Sequence, residues 1–267
     1  MYRRHLILGI AILGTGCISI GNAPESATQT ANTDSSPTPS ASSTPISTSD
    51  VIIRSALRYA VATDSMTVEA PERAQFAFVR PPDDDSERPL DAYELVVGDR
   101  QFSPRSSVGG RIRGGSGLAV PGSQTNINQA YTADNRSGWL VFDVPNVDAD
   151  TGALRRGESN FPLPSDVLPL FGATPDFVVQ SVTVPDATSI VEDLTITIKV
   201  ANEGGRDGVF LAVIQQPGLP HKINIPVQVG ETRTKSVLLT YQEPTEESIK
   251  FVHAEGTRKY DVTIKSD

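Results

Sequence analysis

Beyond residue 52 apolar and polar residues alternate with a period of two, and no segment sustains a 3.6-residue apolar stripe. A period of two places successive side chains on opposite faces of a strand, so the pattern predicts half-buried β-strands rather than helices. Leu57, Tyr59 and Val61 alternate with Arg58 and Ala60, and similar runs fall at 74–79, 91–97, 128–132 and 139–144. Glycine, proline and acidic clusters separate them, the punctuation of an antiparallel sandwich. The clearest alternation comes later, where Leu194, Ile196, Ile198 and Val200 interleave with Thr195, Thr197 and Lys199. Asn202-Glu203-Gly204-Gly205 then reads as a turn. Further apolar runs at 177–184, 210–214, 223–229, 237–241, 249–253 and 260–264 recur at the rhythm of an immunoglobulin-like sandwich. The predicted fold class is therefore all-β, with two immunoglobulin-like antiparallel β-sandwiches over residues 52–155 and 174–267. Between them, 156–173 mixes Pro162, Pro164 and Pro169 with apolar residues, as a short rigid connector would.

The first fifty residues follow a different pattern. Arg3 and Arg4 precede a short apolar run at 6–13, and small residues lead to Cys17, the single cysteine of the chain. Even extended to Ile20, the run barely reaches the roughly 17–25 residues needed to span a bilayer, which favours a signal-peptide core. Leu13-Gly14-Thr15-Gly16-Cys17 resembles a lipoprotein box, in which a peptidase cleaves before a cysteine that carries lipid. Gly14 stands where that box usually has leucine, with Leu13 one step further away. An uncleaved anchor and ordinary secretion are the alternatives. Arg3-Arg4-His5-Leu6-Ile7 also resembles a twin-arginine export signal, so the route, general secretory or twin-arginine, stays open. Residues 18–51 are rich in Ser, Thr, Pro and Ala and poor in large apolar residues. Such a segment buries too little surface to offset its ordering entropy, and the expectation is a disordered tether.

Two resemblances refine the sandwiches. Ser137-Gly138-Trp139-Leu140-Val141-Phe142-Asp143-Val144-Pro145 resembles the C-terminal part of a telokin-like domain, an immunoglobulin-type sandwich of exported prokaryotic lipoproteins. That resemblance implies a β-sandwich without catalytic residues. The phrase Thr174-Pro175-Asp176-Phe177-Val178-Val179-Gln180-Ser181-Val182, with the 194–204 strand and turn and the later Gly230-Glu231-Thr232, resembles the cell-adhesion-related (CARDB-like) domain of prokaryotic surface proteins. It implies an extracellular sandwich used in adhesion or as a spacer and prescribes no active site. Glu203 stands where that family more often has threonine.

Charge and candidate chemistry narrow the function. The net charge is −9 and becomes more negative when a leader carrying Arg3 and Arg4 is removed. Like charges repel nucleic acid and anionic lipid, whereas an acidic surface suits high salt, as in a haloarchaeal setting. Asp83, Asp84 and Asp85 form an acidic loop that reads as solvated hairpin rather than a calcium cage, and no metal site is expected. Gly109-Gly110-Arg111-Ile112-Arg113-Gly114-Gly115 lacks the lysine and hydroxyl residue of a phosphate loop. Arg111 and Arg113, with the three aspartates, are instead candidate partner-binding positions. Asn135-Arg136-Ser137 makes Asn135 a candidate glycosylation acceptor.

With His5 in the leader, His221 and His253 remain as near-neutral bases, and neither sits in a nucleophile motif. No catalytic residue and no cofactor is expected. The expectation is a protein lipid-anchored at Cys17 on the extracellular face of the cell membrane. It would serve as a binding, adhesion or structural module of the envelope, facing an envelope protein or surface polysaccharide. The alternative is an accessory lipoprotein docking on a transporter or export complex, and a carbohydrate-active enzyme is a distant third.

Overall fold

The computed structural model describes residues 44–62, 64–72, 74–82, 88–106, 111–112, 115–116, 131, 138–216, 218 and 220–266. Ala41–Asp267 forms one compact unit. Its described secondary structure is almost entirely strand, as the period-two pattern predicts.

The first sandwich contains β1 (Val51–Arg54), β2 (Leu57–Ala62), β3 (Ser65–Glu69), β4 (Ala74–Val79), β5 (Tyr93–Val97), β6 (Arg100–Phe102), β7 (Arg111–Ile112), β8 (Gly115–Ser116), β9 (Leu140–Pro145), β10 (Gly152–Arg156) and β11 (Ser159–Pro162). One sheet has the order β1-β4-β9 and the facing sheet β11-β10-β5-β6. Ala77, Val79, Leu140, Phe142 and Val144 from the first pack against Tyr93, Leu95, Val97, Leu154 and Phe161 from the second. Two-residue turns close β5–β6 and β10–β11, and Gly98 and Gly157 open them at φ 60° and 56°, where a side chain would be strained.

Both ends of this sandwich extend past their expected limits. Ile46 and Val51, expected in the tether, are buried in its core, and the Ile46 amide donates to Pro162 O at 3.0 Å. The stretch expected to connect the sandwiches instead completes the first one. β10 pairs with both β5 and β11, and Leu163, Val167, Leu168 and Phe171 pack into the same core, Phe171 from the short helix α1 (Pro169–Gly172). The segment therefore belongs to the first core rather than acting as a spacer.

The second sandwich contains β12 (Phe177–Thr183), β13 (Ala187–Ser189), β14 (Leu194–Asn202), β15 (Gly208–Gln215), β16 (His221–Val227), β17 (Thr232–Leu239), β18 (Thr245–His253) and β19 (Gly256–Lys265). Its sheets are β12-β14-β17 and β13-β19-β18-β15-β16, antiparallel except where β13 runs parallel to β19. Leu194, Ile196, Ile198 and Val200 face Phe210, Ala212, Ile214, Ile249 and Phe251 across the core. The outward threonines and Lys199 of β14 alternate with them, as the sequence predicts.

One element breaks the simple pattern. β2 and β3 pair only with each other, forming a hairpin that leaves the first sandwich. At its base Leu57 and Tyr59 cover the outer face of β4 and β9, where Phe76, Phe78, Trp139 and Val141 cluster. Arg105 fastens this base: it donates to Glu69 at 2.7 Å, approaches Asp143 at 3.6 Å and lies 5.3 Å from the Phe76 ring centre. On the opposite face of the hairpin, Ala56, Met66 and Val68 cover Leu211, Val213 and Val252 on the outer face of the second sandwich. Val213 is 0% and Val252 6% exposed, and burying two valines contributes about 3–5 kcal/mol. Among the described residues no helix is long and apolar enough to cross a membrane.

Candidate functional site: a cleft between the sandwiches

Polar contacts hold the two sandwiches in one arrangement. Arg58 Nη1 of the hairpin donates to Ala212 O at 3.3 Å, Ile223 O at 3.1 Å and Asn224 Oδ1 at 3.0 Å. In return Gln215 Nε2 donates to Ser65 Oγ at 3.0 Å and to Met66 O. On another side Arg206 donates to Leu170 O at 3.0 Å and to Gln75 Oε1 at 2.9 Å. Gln75 is 0% exposed, and its amide nitrogen donates to Leu170 O at 2.9 Å. Burial pulls the Arg58 and Arg206 guanidiniums below their ordinary value, with Arg54 adding to the effect at Arg206.

An open cleft of about 600 Å³ lies where the two sandwiches meet. The first sandwich lines it with Ser55 and Ala56 from the β1–β2 link and with Ala70, Pro71 and Glu72 from the β3–β4 turn. The second contributes Thr174, Pro175 and Asp176 ahead of β12, Phe210 of β15, and His253 with Ala254 and Glu255 at the β18–β19 turn. Glu72, Asp176 and Glu255 are exposed, and no lysine or arginine is among the described residues that line the cleft. His253 is 6% exposed and its ring lies 5.3 Å from that of Phe251 and 6.3 Å from that of Phe210. Burial pulls its pKa below 6.5; the nearby Glu255 opposes this and Arg258 reinforces it.

The Thr174–Asp176 wall is preset by Asn202, which is 1% exposed at the end of β14. Asn202 Oδ1 accepts from the Asp176 and Gly204 amides at 3.1 Å each, and Nδ2 donates to Arg206 O at 2.8 Å and Val227 O at 3.2 Å. The Glu203 amide donates to Asp176 O at 2.7 Å and the Gly205 amide to Thr174 O at 3.0 Å. A Cβ at Gly204 would collide with the backbone of Thr174, Pro175 and Asp176, so only glycine permits this approach.

Cys17, Arg3, Arg4, Asp83, Asp84, Asp85, Arg113 and Asn135 fall outside the described residues, and Arg111 is described only as the backbone of β7. His253 sits at the strand end expected for it with Glu255 two residues on, whereas Glu72 and Asp176 reach the same cleft from segments far away in sequence. Asn202 reads as an ordinary turn residue until its four partners are seen. Among the described residues no three His, Cys, Asp or Glu side chains gather into a group that would hold a metal ion.

No family model and no curated protein matches the chain. Among solved structures, a β-glucosidase from Listeria innocua in complex with glucose aligns over 34% of this chain at 17% identity and TM-score 0.29. A β-glucosidase from Erythrobacter marinus aligns over 34% at 15% identity and TM-score 0.27. The aligned part spans 16% of either glucosidase chain. The CARDB domain of a Pyrococcus furiosus protein, in complex with di-metal ions, aligns over 34% of this chain and 89% of its own, at 14% identity and TM-score 0.29. At these identities and TM-scores the likenesses are weak and partial.

Proposed function

We propose that the protein is a lipid-anchored binding or adhesion module of the cell envelope, acting by contact rather than catalysis. The observation that carries this reading is the β2–β3 hairpin, which ties the two sandwiches together through Val213, Val252 and the Arg58 contacts. A unit so held presents a preset surface, which is what binding without large ordering cost requires. Cys17 would carry the lipid, Arg3 and Arg4 would direct export, and the Ser/Thr/Pro-rich segment would hold the unit off the membrane at the extracellular face. As a flexible coil, some thirty residues span roughly 30 Å. The partner in this reading is an envelope protein or surface polysaccharide. Replacing Cys17 with serine and fractionating cells tests the anchor. Release of the C17S protein to the medium, or its accumulation as unprocessed precursor, is expected; a processed and still membrane-bound variant would overturn the lipid assignment.

A further inference from the structure

The cleft between the sandwiches has a definite chemistry. Its rim carries three exposed carboxylates, Glu72, Asp176 and Glu255, supplied by three separate chain segments and accompanied by no cation among the described lining residues. Deeper in the cleft His253 is 94% withdrawn from solvent, yet its ring makes no hydrogen bond to a described residue; its contacts are with the rings of Phe210 and Phe251. A buried imidazole normally finds a polar partner, and one left without a protein partner at the wall of an open cleft is placed to meet a ligand. Since burial disfavours its protonation, the ring is neutral near pH 7 and offers one acceptor nitrogen to an N–H donor.

Two further features decide the kind of ligand. The carboxylates and His253 do not converge as a metal-binding group. Spaced negative charges are matched by a ligand whose positive charges are also spaced. The apolar lining, from Ala56, Ala70, Pro71, Pro175 and Phe177, suits the methylene stems of lysine or arginine, which pack along apolar surface while their charged heads reach the rim.

We propose that this cleft binds an extended basic peptide segment of a partner protein, one that presents two or more lysine or arginine side chains. Glu72, Asp176 and Glu255 hold its cations, and the free nitrogen of His253 accepts a hydrogen bond from the side chain that reaches deepest. The proposal deepens the binding role put forward above by naming its ligand, and it does not depend on the anchor, because binding is read on purified protein.

The test uses the full-length protein in detergent and a fluorescein-labelled peptide alternating arginine with alanine, followed by fluorescence anisotropy. Saturable binding is expected, weakened about tenfold or more in the combined variant E72Q/D176N/E255Q and lost when ionic strength rises from about 0.05 to about 0.5 M. A second combined variant, E158Q/D186N/E243Q, removes the same charge from exposed positions away from the cleft and is expected to bind within about twofold of the wild type. H253F, which keeps an aromatic ring and removes the acceptor, is expected to weaken binding severalfold. Equal weakening by the two combined variants would reduce the attraction to net charge and overturn the site. Binding of single-charge arginine amide as tightly as the peptide would overturn the spaced-cation assignment. Retained thermal melting of the rim variant separates a lost contact from a lost fold. A failed anchor test leaves these readouts unaffected.

Discussion

Replacing Asn202 with alanine tests how far one side chain organises the second sandwich and the wall of the cleft. The amide uses both its donors and both acceptor positions, on Arg206 O, Val227 O and the amides of Asp176 and Gly204. Alanine leaves Val227 O without its side-chain donor in a buried setting, at about 1–3 kcal/mol, and removes three part-buried bonds worth about 0.5–1 kcal/mol each after water recovers some of them. The sum is about 4 kcal/mol, a large share of the roughly 5–15 kcal/mol that holds a folded domain. The backbone bonds of Asn202 to Glu231 and Gly230 survive the change, so the strand itself should persist. Urea unfolding followed by far-ultraviolet circular dichroism and by fluorescence of Trp139 measures the loss. Trp139 lies in the first sandwich, so a shared shift of both signals would show the two sandwiches unfolding together. Asn202→Asp is a sharper control. It keeps the shape and both acceptor contacts, removes both donors and sets a carboxylate against two carbonyl oxygens, so it should cost at least as much as alanine. A loss below about 1 kcal/mol for N202A, or a milder effect for N202D than for N202A, would refute the reasoning.

Three further outcomes follow from single contacts. Gly204→Ala should destabilise by about 2 kcal/mol or more, measured by thermal melting, because its Cβ meets backbone rather than a flexible side-chain end. Asp143→Asn should leave the melting temperature at pH 7 unchanged or raise it. Burial pushes the Asp143 carboxyl up, with Glu69 adding to the shift and Arg105 opposing it, so the ionised form is held less well in the folded protein than in the unfolded chain. That difference is absent below the unfolded value of 3.8, and the advantage of D143N over the native protein should vanish there, which melting curves across pH would show. His253 has the opposite linkage. Its pKa is pulled below 6.5, so its contribution is complete above 6.5 and is lost as pH falls through the folded value. Melting curves between pH 8 and 5 should fall for the wild type and flatten in H253F, and equal slopes would sink the assignment.

How much of this was legible in the sequence depends on the range of the interaction. Alternation within β14 is a local property of the backbone, and the strand forms where the pattern predicts it. The prolines of 162–169 mislead for the same reason: they report local stiffness, while the burial of Leu163, Leu168 and Phe171 is decided by distant β5 and β9. β2 shows the limit most plainly. Its Leu57, Tyr59, Val61 alternation predicts a strand correctly, yet Val61 is 39% exposed because the hairpin has left its own sandwich by that point. A signal for its destination does exist at the other end of the contact. Val209-Phe210-Leu211-Ala212-Val213-Ile214 is an unbroken apolar run rather than an alternating one, and such a strand needs cover on both faces. Its Phe210, Ala212 and Ile214 belong to the core, so Leu211 and Val213 require a second layer, and the hairpin is that layer. The cleft is the consequence. Joining two sandwiches by a hairpin on one face and by Arg206 on another brings Glu72 to the same opening as Asp176, His253 and Glu255, a conjunction that exists only once all three chain segments have been packed.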